Sequence, residues 1–513
     1  MAPTYLAALV VSLLLAFPGA YRVGADEGAA WRASTREGMQ SYARGEYRAA
    51  EGRFATALEI AEGFGAADPR LGTSLNNLAG LYEVAGRYAE AERLYRRALD
   101  LKEKSLGPKD PTVATSLNNL ALLYDQLARY EDAEKLYKRA LEIREATSGR
   151  GKADAAVIFN NLALLYSNQG RYDEAEPLFR RALEIREKAL GKRHADVAQT
   201  LTNLADVHRA KGRHRDADPL YKRALEIRKK ALGPDHPENA GTLSGLAASY
   251  RAQGRYAEAE PLYRRALEIR EKAFGAKHPD VGTSLNNLAL LYRGQGDHAK
   301  AEALYRRALA IWEEAFGPNH PDVATGLNNL ASIARLRGHP AEAEQLYRRS
   351  IEVSERTLSA KHPDVATRLR NLAELYLSQQ KYEDAERLYR RALEIREAIF
   401  GRTHPRVASI LREYAHLLRE TDRTEEASEL LARVVGIRPE MSDGEAADRA
   451  RETAPPSPDE ESRIAKLEEI AARYVVVGEY PAAEPVYLEL IDVKERRLGF
   501  DHPDLLPDLD HLA

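Results

Sequence analysis

Cysteine is missing from the chain altogether. Its absence excludes disulfides, thiol nucleophiles and cysteine-ligated zinc together. It leaves the compartment open, because a chain without thiols tolerates either redox state. A bias of charge is missing too: 76 Lys and Arg stand against 79 Asp and Glu, a net charge of −3 over 513 residues. General nucleic-acid binding needs a basic surface, so no nucleic-acid partner is predicted. The chain also lacks a glycine-rich phosphate loop, a G-x-S-x-G elbow and an H-E-x-x-H pair. These are the local devices of nucleotide, acyl and metal chemistry. The chain therefore reads as a non-enzyme with no cofactor and no metal.

Apolar runs are scarce, and the one that stands out is short. Leu6 to Phe17 reads LAALVVSLLLAF, against the roughly 20 residues that a spanning helix needs. Small residues follow it. Val23-Gly24-Ala25 fits an A-x-A-like cleavage site and Pro18-Gly19-Ala20 fits less well. Residues 1–25 thus read as a secretory signal peptide, which predicts a secreted or periplasmic protein. No Lys or Arg precedes the run, so an uncleaved membrane anchor is the alternative. No cysteine follows it, so a lipid anchor is excluded.

What the chain has in abundance is one repeated unit. Leu71 to Thr112 shows it as LGTSLNNLAGLYEVAGRYAEAERLYRRALDLKEKSLGPKDPT. Its mark is Tyr88, which returns at Tyr130, Tyr172, Tyr256 and Tyr382, while His214, His298 and Pro340 fill the same slot in between. The step from Tyr88 to Tyr130 is 42 residues. A fixed period of this size means a solenoid, whose units bury their apolar faces only against neighbours. Leu75, Leu78, Ala79 and Tyr82 share one helix face, and Ala91, Leu94, Tyr95, Ala98 and Leu99 share a second. Gly86-Arg87 between them is a helix stop, so the unit is helix, turn, helix.

The order Leu-small-x-x-Tyr, Gly, Ala-x-x-x-aromatic-x-x-Ala resembles the tetratricopeptide repeat. The longer period and the wording SLNNLALLY…AExLYRRALEIREKALGxxHPDVA resemble the kinesin light chain type. The resemblance implies an all-α, right-handed superhelical solenoid of helix-turn-helix repeats. It implies a concave groove lined by the first helices, and a protein or peptide partner. Kinesin light chains as a family bind acidic peptides with an aromatic anchor.

The solenoid is expected over residues 31–438 as about ten repeats. A degenerate first unit runs from Trp31 to Arg70, and regular units start at Leu71, Val113, Ala155, Val197, Asn239, Val281, Val323 and Val365. A worn unit spans Val407 to Arg438, with Thr424 in the Tyr slot. Residues 439–461 are acidic and rich in Pro, Ser and Ala, and read as a flexible linker. The repeat resumes over 462–513 around Gly478-Glu479-Tyr480 and breaks off inside a first helix. That suggests a fragment, and an effector or protease-like domain beyond Ala513 is the alternative source of function, with this region as its sensor.

Recurring residues sort into caps, faces and candidate site. His236, His278, His320, His362, His404 and His502 precede first helices, where Asp110 also stands. They read as N-caps followed by Pro at the first helical position. One His per repeat lies too far from the next to share a metal. The arginine pairs Arg96-Arg97, Arg180-Arg181, Arg264-Arg265, Arg306-Arg307, Arg348-Arg349 and Arg390-Arg391 follow Glu by four residues and read as a solvated face. Pro177, Pro219 and Pro261 are expected in the first turn of second helices, where no amide bond is lost.

Asn is a mediocre helix residue, so the pairs at 76–77, 118–119, 160–161, 286–287 and 328–329 need a cause. The second of each pair persists as Asn203 and Asn371 and reads as a bond to the next repeat. By the resemblance the first ones, Asn76, Asn118, Asn160, Asn286 and Asn328, face the groove, where a side-chain amide can hold an extended peptide backbone. Two turns on along the same stripe stand Glu83, Asp125, Ser167, Arg209, Arg251, Arg293 and Arg335. The four arginines form a positive track for acidic side chains, with Leu122, Leu164 and Leu290 as apolar contacts.

Overall fold

The computed structural model describes residues 25–66, 68–146 and 150–437, with 464–470, 486 and 490 beyond them. The signal segment, the linker and the features expected around Gly478 and His502 lie outside the described residues. The chain divides into two units, Met1–Gly436 and Ile437–Ala513, and the account below concerns the first.

That unit is a row of ten helical hairpins, and no strand occurs among the described residues. In order they are α1 (Ala25–Ala43) with α2 (Tyr47–Gly63), α3 (Pro69–Val84) with α4 (Tyr88–Leu106), and α5 (Pro111–Gln126) with α6 (Tyr130–Glu145). Then come α7 (Arg150–Asn168) with α8 (Tyr172–Leu190), α9 (Ala195–Ala210) with α10 (His214–Leu232), and α11 (Glu238–Ala252) with α12 (Tyr256–Phe274). The last four are α13 (Pro279–Gly294) with α14 (His298–Phe316), α15 (Pro321–Leu336) with α16 (Pro340–Thr357), α17 (Pro363–Ser378) with α18 (Tyr382–Phe400), and α19 (Pro405–Glu420) with α20 (Thr424–Gly436). This is the all-α right-handed solenoid that the repeat implied.

The turn inside most hairpins follows from its glycine, while Ala128, Gln380 and Asp422 take the same positive φ in three of them. At α3 the Arg87 amide bonds the Tyr82 carbonyl at 2.8 Å and the Gly86 amide bonds Glu83 at 3.1 Å. That is a Schellman end, and Gly86 supplies the φ of +72° that it demands. The helices close on alanines with no exposed surface, Ala79, Ala91 and Ala98 in this hairpin. An aromatic ring from the second helix fills the gap in all but the last hairpin, and Tyr137, Phe179, Tyr221, Tyr305, Tyr347 and Tyr389 are fully buried. The start of first helices is also as expected. Asp110 accepts the Thr112 amide at 2.8 Å, and His278 and His362 accept the amides of Asp280 and Asp364 at 3.2 and 3.1 Å.

The three prolines depart from expectation. Helices α8, α10 and α12 begin at Tyr172, His214 and Tyr256, so Pro177, Pro219 and Pro261 lie inside them, past the first turn. Each is exposed, so the carbonyl left without an amide faces water.

The arginine pairs do more than cover a wet face. The first member pairs with Glu four residues back and reaches a tyrosine of the next repeat, as Arg96 does to Glu92 at 2.8 Å and to the Tyr124 hydroxyl at 2.7 Å. The second member crosses to the preceding repeat in most pairs, Arg97 to Glu62 at 2.7 Å, Arg307 to Glu271 at 2.5 Å and Arg349 to Glu313 at 2.6 Å, while Arg181 turns to Glu184 of its own helix.

First helices of consecutive repeats touch one another, as α5 and α7, α9 and α11, and α17 and α19 do. Helices inside a curved stack approach more closely than those outside, so the first helices line the inner wall. The curve is tight enough for the second superhelical turn to rest on the first. The His320 Nε2 lies 2.9 Å from the Val84 carbonyl, His362 3.1 Å from Gln126 and His404 2.7 Å from Gln169. The first two of these contacts join residues 236 apart, about 5.6 repeats (236/42). Tyr47 stacks on Phe316 at 5.3 Å, and Tyr130 meets Phe400 at 6.2 Å. A Cβ on Gly86 or Gly170 would come within 3.1 or 2.9 Å of the ring of His320 or His404. The same glycine at 212, 254, 296 and 338 has nothing within 4 Å, because no later turn covers it.

Candidate functional site

The residues expected in the groove all lie on first helices, and the structure gives them unequal work. The asparagines are joined to each other. The Asn161 amide donates to the Asn118 carbonyl at 2.9 Å, Asn203 to Asn160 at 2.9 Å, Asn329 to Asn286 at 2.8 Å and Asn371 to Asn328 at 2.9 Å. At Asn161, Asn203, Asn329 and Asn371 the second position is thus the bond to the neighbouring repeat, and the first Asn of the preceding repeat is its acceptor. Asn118 and Asn160 are buried, 3% exposed, and their own amides turn to Asn119 and Asn161. Asn286 and Asn328 are half-buried. Asn76 differs: its side-chain oxygen is buried and has no partner. Leu122, Leu164 and Leu290 are half-buried against the core.

The stripe two turns on changes character from end to end. Glu83 is 3% exposed and takes bonds from the Tyr95 hydroxyl at 2.9 Å and Gln126 at 2.6 Å. Burial pushes its carboxyl up to about 7, against those two bonds. Asp125, held by Asn168 at 2.9 Å, is pushed by burial to about 7 as well. Ser167 bonds its own helix at Ala163. The acidic end of the stripe is therefore sunk and half-neutral, not a negative track.

The arginines divide into two kinds. Arg209 pairs with Asp206 at 3.0 Å and touches the Tyr221 hydroxyl at 3.3 Å. Arg335 pairs with Glu374 at 3.1 Å. Between them, Arg251 and Arg293 have no carboxylate within ion-pair reach among the described residues. Arg251 bonds the Tyr263 hydroxyl, and its Nε is buried without a partner. Arg293 and Arg251 both act on Tyr305, whose buried hydroxyl has no partner and whose ionisation burial raises to about 12. Two uncompensated guanidiniums and an unbonded hydroxyl thus share one stretch of wall. Spacing showed a line of four arginines. It did not show their partners, Asp206 one turn back on α9 and Glu374 from the next repeat.

The tetratricopeptide repeat family matches residues 32–104, 70–146, 154–230, 196–272, 238–314, 280–356, 340–398 and 364–440, with further matches at 118–189 and 464–504. The chain belongs to the tetratricopeptide repeat family. Such repeats serve as protein-interaction scaffolds. Among solved structures, BtubC (BKLC) from P. vanneervenii is 24% identical, with 45% of this chain and 91% of that one covered and a TM-score of 0.37. A Podosopora anserina putative kinesin light chain with nearly identical repeats is 24% identical over 40% of this chain and 97% of that one, TM-score 0.35. A Rap protein complexed with competence and sporulation factor is 16% identical over 71% and 97%, TM-score 0.48. No curated protein matches the chain.

Proposed function

We propose that this repeat protein holds an extended acidic segment of a partner inside its superhelix, with carboxylates set on Arg251 and Arg293. One observation carries the reading: of four arginines on the inner stripe, the middle two lack a carboxylate while the outer two have theirs. A half-buried guanidinium without a counter-charge can take a ligand carboxylate with bidentate geometry. Tyr305 adds a donor at the same place, and Leu290 an apolar contact one turn away. The buried asparagines, Asn76 among them, serve the wall and not the ligand.

The test is fluorescence anisotropy with glutamate-rich and lysine-rich peptides of equal length. Wild type should bind the acidic one only, and more weakly as salt rises. Arg251→Glu/Arg293→Glu should lose at least tenfold in affinity, while Arg209→Glu, already paired, should lose less. Equal affinity in wild type and the double variant overturns the reading. Export, which the apolar run Leu6 to Phe17 suggests, belongs to the same proposal: the partner would then meet the protein outside the cytoplasm, and a processed N-terminus after Ala25 or Ala20 would mark it.

A further inference from the structure

The groups that the repeat's own packing leaves over collect along the line where the second turn rests on the first. We infer that this seam is an acid-released clasp: the neutral imidazoles of His320, His362 and His404 tie the second turn to the first, and proton uptake lets it go.

Both nitrogens of each ring are in use. The Nδ1 atoms accept the backbone amides of Asp322, Asp364 and Arg406, each at 3.1 Å. The Nε2 atoms face the carbonyls of Val84, Gln126 and Gln169. A carbonyl only accepts and an amide only donates, so the proton must sit on Nε2 and Nδ1 must be bare. A second proton has one place to go, Nδ1, where it would point at an amide hydrogen. Protonation thus breaks the cap and places a charge in a closed interface. His320 and His362 are buried. Two of the three clasps are completed by an aromatic neighbour, Phe316 on His320 at 3.8 Å and Phe400 on His404 at 5.0 Å, while Leu358 stands in that place before His362.

The charged surroundings are mixed. His320 has the Asp322 carboxylate 3.7 Å from Nδ1, itself buried and shifted upward. Across the seam stands Tyr88, which also feels Glu83 and Asp364. His362 has Asp364 on its own helix, Arg368 beside it and Arg396 from α18. His404 has Arg406 and the same Arg396, and Arg406 also donates to the Asn168 carbonyl of the first turn. Burial is the leading cause at all three rings and lowers their basicity. Asp322 and Asp364 oppose it, while Arg368, Arg396 and Arg406 reinforce it. A base held below its ordinary value near 6.5 adds stability in full above that pH and loses it as pH falls. The three rings share one opening, so each adds up to about a tenfold shift per pH unit over that window. The caps of the first turn supply an internal control: Asp68 and Asp110 cap there, and His194 caps in the open, with no turn beneath them.

The experiment follows the full chain from pH 7.5 to 5.0 by small-angle scattering and hydrogen exchange, with circular dichroism alongside. The expected result is a growing maximum dimension at constant helicity. Exchange, corrected for intrinsic rate, should rise at residues 84–88, 126–130 and 168–172 and hold steady at 211–214 and 253–256. The variant His320→Asn/His362→Asn/His404→Asn keeps side chains that cap helices but do not titrate, and its dimension should not change with pH. A wild-type dimension constant over the range, an expansion that brings loss of helicity, or an undiminished acid response in the triple variant each overturns the clasp.

Discussion

At the scale of the residue, each copy of the unit is edited by what its neighbours need. Trp312 stands where Arg186, Arg228 and Arg270 stand in earlier repeats. Those arginines are buried and tie a carbonyl ten residues on to a hydroxyl, as Arg270 does to Ser284 at 2.8 Å. Trp312 is 2% exposed and bonds the Pro279 carbonyl at 3.2 Å instead. Two glycines make its room: a Cβ on Gly282 would lie 2.7 Å from the indole nitrogen, and one on Gly326 3.3 Å from the ring. Gly282→Ala should therefore cost about 1–3 kcal/mol by overpacking, read as a lower urea midpoint with unchanged slope. An unshifted midpoint would show that the ring has slack. Both glycines are visible in the sequence as departures from the Ala and Ser of other copies, but nothing in a single sequence links them to Trp312. The asparagine ladder was half legible for the same reason. Periodicity marks the second Asn as bonded, while its acceptor lies 43 residues away in the preceding repeat, a register that spacing alone does not supply.

At the scale of the element, the helices were legible because their ends carry chemistry. Asp or His before Pro starts the first helix, and Gly after the aromatic stripe stops it. What was not legible is how far a second helix extends before its apolar face begins. Tyr172 opens α8 three residues ahead of Ala175, which places Pro177 in the interior. There the ring removes the bond to the Asp173 carbonyl. Pro177→Ala restores an amide at an exposed site and should stabilise α8 by about 1–3 kcal/mol, the usual cost of an interior proline. Slower hydrogen exchange confined to 176–182 is the expected sign, and faster exchange there would mean that the proline's rigidity outweighs the missing bond.

At the scale of the whole first unit, pitch decides the architecture, and pitch arises from small rotations that sequence patterns do not encode. Its traces were nonetheless present. The Tyr slot holds Tyr47, Tyr88, Tyr130 and Tyr172 where the second turn lies above; His214, His298, Pro340 or Thr424 replace it elsewhere, although Tyr256 and Tyr382 keep it. The partner position carries Phe316 and Phe400 at the seam and exposed Leu106 and Leu190 away from it, though Phe64 in the first turn and Leu358 in the second break the pattern. Gly170→Ala and Gly254→Ala separate pitch from local strain. Both force Ala into a positive φ, +79° and +71°, at about 1–2 kcal/mol each. Only the first also drives a methyl into His404. Gly170→Ala should lose more thermal stability than Gly254→Ala and should expand in scattering; equal losses would mean that the turns do not bear on each other.

Open solenoids stretch as soft springs, since each coil yields independently of the next. A coil whose successive windings are bonded at Val84, Gln126 and Gln169 behaves as a sleeve: it resists the first pull stiffly, then gives way winding by winding once those bonds break. A partner tugging on the far repeats would thus feel a threshold in force, and anything enclosed would be shielded from the side until that threshold is passed.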